Sequence, residues 1–559
     1  MTKTRAWLAA IVVLALALPA GAQDAPAQLR RDGAWLIDEH GRVVLLHGVN
    51  AVWKTPPYYP PGDPAGFTAA DARWLADHGF NTARIGTLFV GVMPEEAVID
   101  HAYLDAWDRV VQLLADHGIW VMFDFHQDMY NEEFQGEGFP NWAVKDPLTD
   151  PLPDPTFGFP GNYFSPHVGE AFDSFWSDTD GLWDHYAQAW QAVAERWRDQ
   201  PYSMGYDLMN EPWPGNDWAA CATPQGCPVQ DLVELQATFE HVLAAIRQVD
   251  PDTLVWFEPF VMFDFGAKTN LAAVAGEDQL GLSWHDYCLA AAALHQYGAE
   301  DLPGCDVEED LVFQNAEEAA TRMQAASLLS EFGASDDLPD IRQVTELADR
   351  YLVGWQYWHY KEWSDPTTES QESGGQGMFT DDADLSSVKT DKARLLVRTY
   401  PQTTAGTPLE LSFDPDSGAF AYRYTADAGI DAPTEIFTSP LHYPGGYEVV
   451  ELRGARITSE VGARVLTLAP IAGADEVTIR IEAASGGGGA TTGGDGGGSG
   501  TSTGGATTGG ASTPVTGGGV AGLALLLALG VLALRTDAAG SASGPPPRVR
   551  PGLRRRTPG

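Results

Sequence analysis

The sequence predicts an α/β protein: a (β/α)8 TIM barrel followed by a small C-terminal antiparallel β-sandwich. Three observations point there. Over residues 30–400, short apolar runs that end in polar residues alternate with amphipathic helical stretches, the pattern of a parallel α/β fold. Eight such strand-like units occur, the number that closes a barrel of this type. From Thr403 onward the texture changes to short alternating runs separated by turn residues, which reads as a sandwich over 403–483.

The first strand is Val43-Val44-Leu45-Leu46 running into His47-Gly48-Val49-Asn50. A helix over 68–78, apolar at Trp74 and Leu75 and stopped by Gly79, leads to a strand at 82–85. A second helix over 103–117 places Leu104, Trp107, Val110, Val111 and Leu114 at helical spacing before Gly118 ends it. The strand over 119–125 follows, ending at His126. A long helix is predicted over 174–198, then a strand at 204–209 that runs into Asn210-Glu211. Further helices are predicted over 232–249, 316–326 and 340–351, with strands at 253–257, 281–284, 328–329 and 354–358. The sandwich strands are placed at 409–413, 420–424, 435–437, 448–452, 464–468 and 476–481. That domain fits either a carbohydrate-binding module or a packing partner for the barrel, with packing the favoured reading.

Both ends of the chain carry addressing grammar. Lys3 and Arg5 precede an apolar run at 7–18, and Ala20-Gly21-Ala22 offers small residues for cleavage, so 1–22 reads as a signal peptide. Residues 484–513 are rich in Gly, Ser and Thr and cannot bury a core. Within 514–559, Pro514-Val515-Thr516-Gly517 precedes an apolar run at 520–534 and a basic tail. This resembles a cell-wall sorting signal cut by a sortase-type transpeptidase, with Thr513 where that signal carries Leu. The alternative is a C-terminal membrane anchor with its Arg-rich tail inside. Export makes the four cysteines read as two disulfides. Pairing of Cys221 with Cys227 and of Cys288 with Cys305 is favoured because short loops close most readily, and the other two connectivities stay open.

Composition excludes some partners. With 33 Lys+Arg against 77 Asp+Glu the net charge is −44, which repels phosphate backbones and argues against nucleic acid. The 18 Trp, 18 Tyr and 23 Phe suit a sugar-binding or apolar groove as well as a large core. No nucleotide-binding glycine loop, zincin motif or G-x-S-x-G elbow occurs, so no cofactor and no metal is expected.

The chemistry sits at a repeated position. His126, Asp128, Asn210, Glu211, His285, Tyr287 and Glu331 each follow or end a predicted strand, and a barrel brings such residues to one pocket at its C-terminal face. Glu211 and Glu331 belong to different strands. Paired carboxylates suit glycosidic cleavage, one protonating the leaving oxygen while the other attacks the anomeric carbon. Glu258, before Pro259 at another strand end, competes for the second role but lacks an Asn neighbour. The apolar stretch WFEPFVMFDF (256–265) is a candidate border for a lipid cleft, with Met262 and Phe263 at its centre, or ordinary core.

Asn210-Glu211-Pro212 after a strand, with Glu331 ending a later one, resembles the retaining (β/α)8 glycosidases and, within them, glycoside hydrolase family five. The closer resemblance is to endoglycoceramidases. It rests on LHGVNAVWK (46–54), NTARIG (81–86), HQDMY (126–130), GFPNWAV (138–144), DLMNEPWP (207–214), SWHDYC (283–288), SEFG (330–333) and GWQYWHYK (354–361), in that order. The resemblance implies that Glu211 is the acid/base and Glu331 the nucleophile. It implies that Asn210 bonds the sugar 2-hydroxyl, Tyr287 steadies the nucleophile, His285 orients the acid/base and Trp358 forms the sugar platform. Lys54, His126 and Asp128 would bind glycan hydroxyls, and Arg84 would orient Glu331. On this reading Glu211 has a raised pKa, Glu331 a lowered one, and their carboxyls stand about 5 Å apart. The implied activity is a secreted or surface-attached retaining endo-β-glycosidase that frees the oligosaccharide from the ceramide of a glycosphingolipid. The alternatives are the same chemistry on a polysaccharide such as β-glucan or mannan, or on a simple β-glucoside, and a non-catalytic carbohydrate-binding surface protein.

Overall fold

The computed structural model describes residues 28–145, 158–288, 305–363, 365, 367, 375–460 and 462–484. The signal-peptide stretch 1–22, the linker beyond residue 484 and the terminal segment 514–559 lie outside the described residues. Among the described residues no helix is long and apolar enough to cross a membrane.

Eight parallel strands close into a barrel. They are β1 (His47–Ala51), β2 (Thr82–Gly86), β3 (Trp120–Asp124), β4 (Ser203–Asp207), β5 (Val255–Phe257), β6 (Leu280–Asp286), β7 (Ala326–Phe332) and β8 (Gly354–Tyr357). Closure comes from β8 against β1, with Trp355 opposite His47 and Tyr357 opposite Val49. All residues of β1 to β6 and β8 are buried, as expected for parallel strands covered on both faces. Gly205 in β4 adopts φ 109°, and a Cβ there would lie 2.0 Å from the Leu254 carbonyl oxygen, so only glycine allows β4 and β5 to approach.

Each predicted barrel strand is present, but Val43–Val44 belongs elsewhere. It forms a separate strand paired antiparallel with Tyr400–Thr404, and the barrel strand starts only at His47. The long helix predicted over 174–198 is two helices, Pro166–Trp176 and Leu182–Trp197. Asp178, Asp180 and Gly181 all take positive φ between them, at 52°, 56° and 76°, which no helix can continue through. The remaining helices include Ala69–Asp77, His101–Ala115, Cys305–Met323 and Leu338–Tyr351. The disulfides pair Cys221 with Cys227 and Cys288 with Cys305.

The C-terminal part forms two antiparallel sheets. One runs Gly406–Phe413, Phe420–Ala426, Glu476–Ala483, Tyr447–Arg453. The other has seven strands, of which Tyr400–Thr404, Thr434–Phe437, Val465–Pro470 and Ala455–Ile457 come from this region. Its other three are Arg30–Asp32, Trp35–Ile37 and Val43–Val44, from the start of the described chain. The sandwich is bound to the barrel by buried contacts. Arg398 pairs with Asp349 of the Leu338–Tyr351 helix, Tyr400 donates its hydroxyl to the Gly79 carbonyl at 2.6 Å, and the Tyr400 and His47 rings stack at 3.7 Å. These contacts are those of a packing partner.

Candidate active site

The residues that carry the chemistry project from the C-terminal ends of the strands. Asn210-Glu211-Pro212 follows β4 in a sharp turn, with Glu211 at φ 40°, a region a side-chain-bearing residue enters only when its surroundings hold it there. Two side chains hold it. Gln127 donates its amide to the carbonyls of Asn210 and Glu211, both at 2.9 Å, and the Glu258 carboxyl accepts the Glu211 backbone N–H at 2.6 Å. Glu331 lies in β7 where the register with β6 shifts between Leu329 and Glu331. A bulge of this kind re-aims a side chain, and here the residue re-aimed is the second carboxylate.

His285, at the end of β6, lies between the two acids. Its Nδ1 is 2.9 Å from Glu211 Oε1 and 3.6 Å from Glu331 Oε2. The sum of those two distances is the most by which these oxygens can be separated. That bound lies at the short end of the ~6.5–9.5 Å range of inverting enzymes and admits the ~5 Å of retaining ones. Tyr287 donates its hydroxyl to Glu331 Oε2 at 3.0 Å. Arg84, buried in the middle of β2, donates to Glu331 Oε1 at 2.5 Å, to Asn210 Oδ1 at 3.0 Å and to Asp207 Oδ2 at 2.8 Å, and lies 3.0 Å from Asp124 Oδ1. Asn210 has its amide nitrogen on the Gln127 carbonyl at 3.1 Å.

Electrostatics separate the two acids only partly as expected. Burial, reinforced by the Asp128 anion, raises Glu211 to about 7, against the pull of His126, Lys54 and Arg84. Glu331 was expected to be lowered by its donors. Burial outweighs His285, Arg84 and His126, and holds Glu331 above its ordinary value. Burial also pushes His285 down to about 3, so its ring is neutral.

The predicted glycan-binding residues form a second cluster beside the first. Lys54 Nζ lies 2.5 Å from Asp128, 3.2 Å from Asp365 and 3.5 Å from Glu137. Burial opposes its charge, yet these three acids hold Lys54 well above its ordinary value. His126 bonds Asp124 through Nδ1 at 2.8 Å and stacks against the Trp358 ring at 5.0 Å. Trp358 is fixed by its Nε1, which donates to Gln376 Oε1 at 2.8 Å. Thus all ten residues singled out from the sequence lie in two adjoining clusters.

Sequence reasoning missed several members. Asp124 and Asp207 end β3 and β4 and share Arg84; their strand-end position was a usable signal. Gln127, between His126 and Asp128, gave none. Glu258 lies inside the first cluster, though at Glu211 and His285 rather than in place of Glu331. Asp264 is buried with neither carboxyl oxygen hydrogen-bonded among the described residues, and burial beside Glu211 and Glu331 holds it well above its ordinary value. Its helix, Val261–Phe265, packs Met262 and Phe263 into the hydrophobic core. Two groups bring possible metal-ligand atoms within 4.8 Å of one another: His126, Asp128 and Glu137, and Glu211, Asp264 and His285. In the first, Lys54 supplies the positive charge.

Residues 37–364 match the family model Cellulase (glycosyl hydrolase family 5), and residues 398–482 match the glycoside hydrolase family 5 C-terminal domain. The chain is 39% identical over 460 residues to Endoglycoceramidase I of Rhodococcus hoagii (strain 103S), covering 81% of this chain and 88% of that protein. It is 29% identical to an Endoglycoceramidase of Hydra vulgaris, covering 78% of this chain and 86% of the relative. Among solved structures, Endo-glycoceramidase II from Rhodococcus sp. in its Ganglioside GM3 complex superposes with a TM-score of 0.67 at 29% identity, covering 81% of this chain and 100% of that one. The Lactosyl-Enzyme Intermediate of the same enzyme superposes with a TM-score of 0.66 at 30% identity, with the same coverage.

Proposed function

The chain belongs to glycosyl hydrolase family 5 and is an O-glycosyl hydrolase, and from that premise we propose that it cleaves the bond between oligosaccharide and ceramide in glycosphingolipids, with retention. The observation that carries the mechanism is the placement of Glu211 and Glu331 on separate strands, both facing one nitrogen of His285. Its relatives support the substrate class: one is an Endoglycoceramidase I, and another was solved in complex with Ganglioside GM3.

In the first step the ionised Glu331 attacks the anomeric carbon, and Glu211 gives its proton to the departing ceramide oxygen. Arg84 and Tyr287 hold the attacking carboxylate by two charge-assisted bonds. In the second step Glu211, now a carboxylate, takes a proton from water. The hydroxide so formed opens the glycosyl ester and regenerates Glu331. Once Glu331 is esterified its negative charge is gone, which makes it easier for Glu211 to stay ionised as the base. Trp358 offers its ring to the C–H face of the sugar, and the Lys54, His126 and Asp128 cluster offers polar atoms to glycan hydroxyls.

Secretion by the 1–22 segment, and tethering to the cell surface through 514–559, belong to the same reading. The two disulfides support an oxidising compartment. Fractionating expressing cells tests this: mature protein confined to the cytoplasm would overturn it.

The decisive experiment is a thin-layer digest of ganglioside and glucosylceramide by purified protein. Intact oligosaccharide plus ceramide supports the proposal. Release of sugar only from β-glucan, mannan or simple β-glucosides would overturn the lipid assignment while keeping the chemistry.

A further inference from the structure

Glu258 follows β5, is buried, and makes no contact that the double displacement requires. Its Oε1 accepts the backbone N–H of Glu211 at 2.6 Å. Its Oε2 faces His285 Nε2 at 3.5 Å and Arg84 Nη2 at 3.4 Å. The opposite nitrogen of the same imidazole faces Glu211 and Glu331. His285 Nε2 is buried without a hydrogen-bond partner among the described residues.

We propose that Glu258 is a positioning residue for the acid/base: it clamps the Glu211 peptide in its left-handed turn and fixes which nitrogen of His285 carries the proton. The argument rests on the reading of Glu211 as acid/base. Nδ1 faces two carboxyl groups, one of them the ionised nucleophile Glu331, and a hydrogen on that nitrogen serves both. A neutral ring then has only a lone pair at Nε2, and a buried lone pair wants a donor. The group it faces is Glu258 Oε2, which donates only as the neutral acid.

The surroundings favour that form. Glu258 is faced by Glu211 and Asp207 from the β4 side, by Asp264 from the Val261–Phe265 helix, by His285 from β6 and by Arg84 from β2. Arg84 already serves Asp124, Asp207 and Glu331, so one cation is divided among four buried acids. Burial and the Asp207 anion accordingly push Glu258 well above its ordinary value, against Arg84. A neutral holder places no second negative charge beside Glu211. Glu211 can therefore release its proton in the first step and stay ionised for the second.

The test compares two β-lactosides that differ in leaving group: an alkyl lactoside, whose departing oxygen needs a proton, and 2,4-dinitrophenyl lactoside, which needs none. Glu258→Leu should lower kcat/KM for the alkyl substrate by about 10²-fold, and far less for the dinitrophenyl one. Its alkyl-substrate pH profile should lose the wild-type basic limb. Glu258→Gln, which copies the neutral acid as acceptor and donor, should restore most of the loss. Glu258→Asp keeps the acid on a shorter arm, and should reproduce the leaving-group selectivity should the Leu variant not fold. Equal losses on both substrates, or a Gln variant as impaired as the Leu variant, would overturn the proposal. Wild-type enzyme inert on both lactosides would overturn the proposed substrate class, and this inference with it.

Discussion

The ammonium of Lys54 lies 4.6 Å from the ring centroid of Trp358. The sugar platform is thereby coupled to the charged cluster of Asp128, Asp365 and Glu137, in which Lys54 faces all three acids.

Replacing Lys54 with Met keeps the length and removes the charge. Asp128 and Asp365 then lose their ammonium, with only His126 left, 3.7 Å from Asp128, and breaking a buried pair in this way costs about 3–5 kcal/mol. Chemical denaturation should show a loss of that order, together with a raised KM for oligosaccharide substrates. An unchanged unfolding midpoint would show that the cluster does not depend on its cation.

Removal of either catalytic carboxyl should be distinguishable by azide. In Glu331→Ala, azide takes the place of the nucleophile and attacks directly, giving a glycosyl azide of inverted configuration. In Glu211→Ala, azide opens the glycosyl-enzyme and gives the retained product. Each variant without azide should lose about 10²-fold or more in kcat/KM on unactivated substrates. NMR of the products assigns the roles, and an exchange of the two configurations would reverse them.

The pH dependence follows from two shifts of like sign. Glu211 must be protonated to act as acid, so kcat/KM should fall as pH rises through about 7. Glu331 must be ionised, and its raised value moves the acid limb upward. Stability should follow the same carboxyls. Asp207 at about 7, Glu211 at about 7 and Asp231 at about 6 are all raised chiefly by burial. The folded protein thus holds protons that the unfolded chain releases near pH ~4. The stability they contribute is full below that pH and is lost as pH rises through 6–7. Asp128 runs the other way. Burial opposes its charge, but Lys54 and His126 hold its pKa below the ordinary value, so its contribution is lost in acid. Tm measured across pH 4–9 should peak on the acid side of neutrality; a Tm still rising above pH 7 would contradict the raised carboxyls.

The barrel was legible because strands buried on both faces are rich in apolar residues, as WVMFD in β3 and VWF in β5 are, and because each such stretch ends in polar residues before a helix. The site was legible because residues such as His126, Asn210 and Glu331 occur where a strand ends, and topology alone converges them. Other features left weaker traces. The kink at Asp178–Gly181 depends on backbone angles that ordinary helix-compatible residues adopt only in context. The burial that raises Glu331 is a property of the assembled pocket, and its neighbours in sequence give no hint of it. Val43–Val44 reads as the start of a barrel strand because its apolar side chains suit either sheet; only the pairing partner, Tyr400–Thr404, decides.

The junction of barrel and sandwich offers a stability test. Arg398 is fully buried against Asp349, and also bonds the Phe413 carbonyl at 3.3 Å. Arg398→Met leaves Asp349 as an unpaired buried acid, and should cost about 3–5 kcal/mol. Calorimetry should record the loss, while KM for soluble substrates stays near wild type. A loss below 1 kcal/mol would mean that Asp349 takes up a proton at little cost.

The seven-stranded sheet draws three strands from the start of the described chain and four from beyond residue 400. During vectorial synthesis, Arg30–Asp32, Trp35–Ile37 and Val43–Val44 emerge from the ribosome long before the strand that covers their edge. Until residues 400–404 are made, that edge is an open template of the kind that invites wrong pairing. A chain cut back at residue 399 would keep its two acids and its barrel strands yet expose the same edge permanently. Such a truncation should therefore be recovered in aggregates.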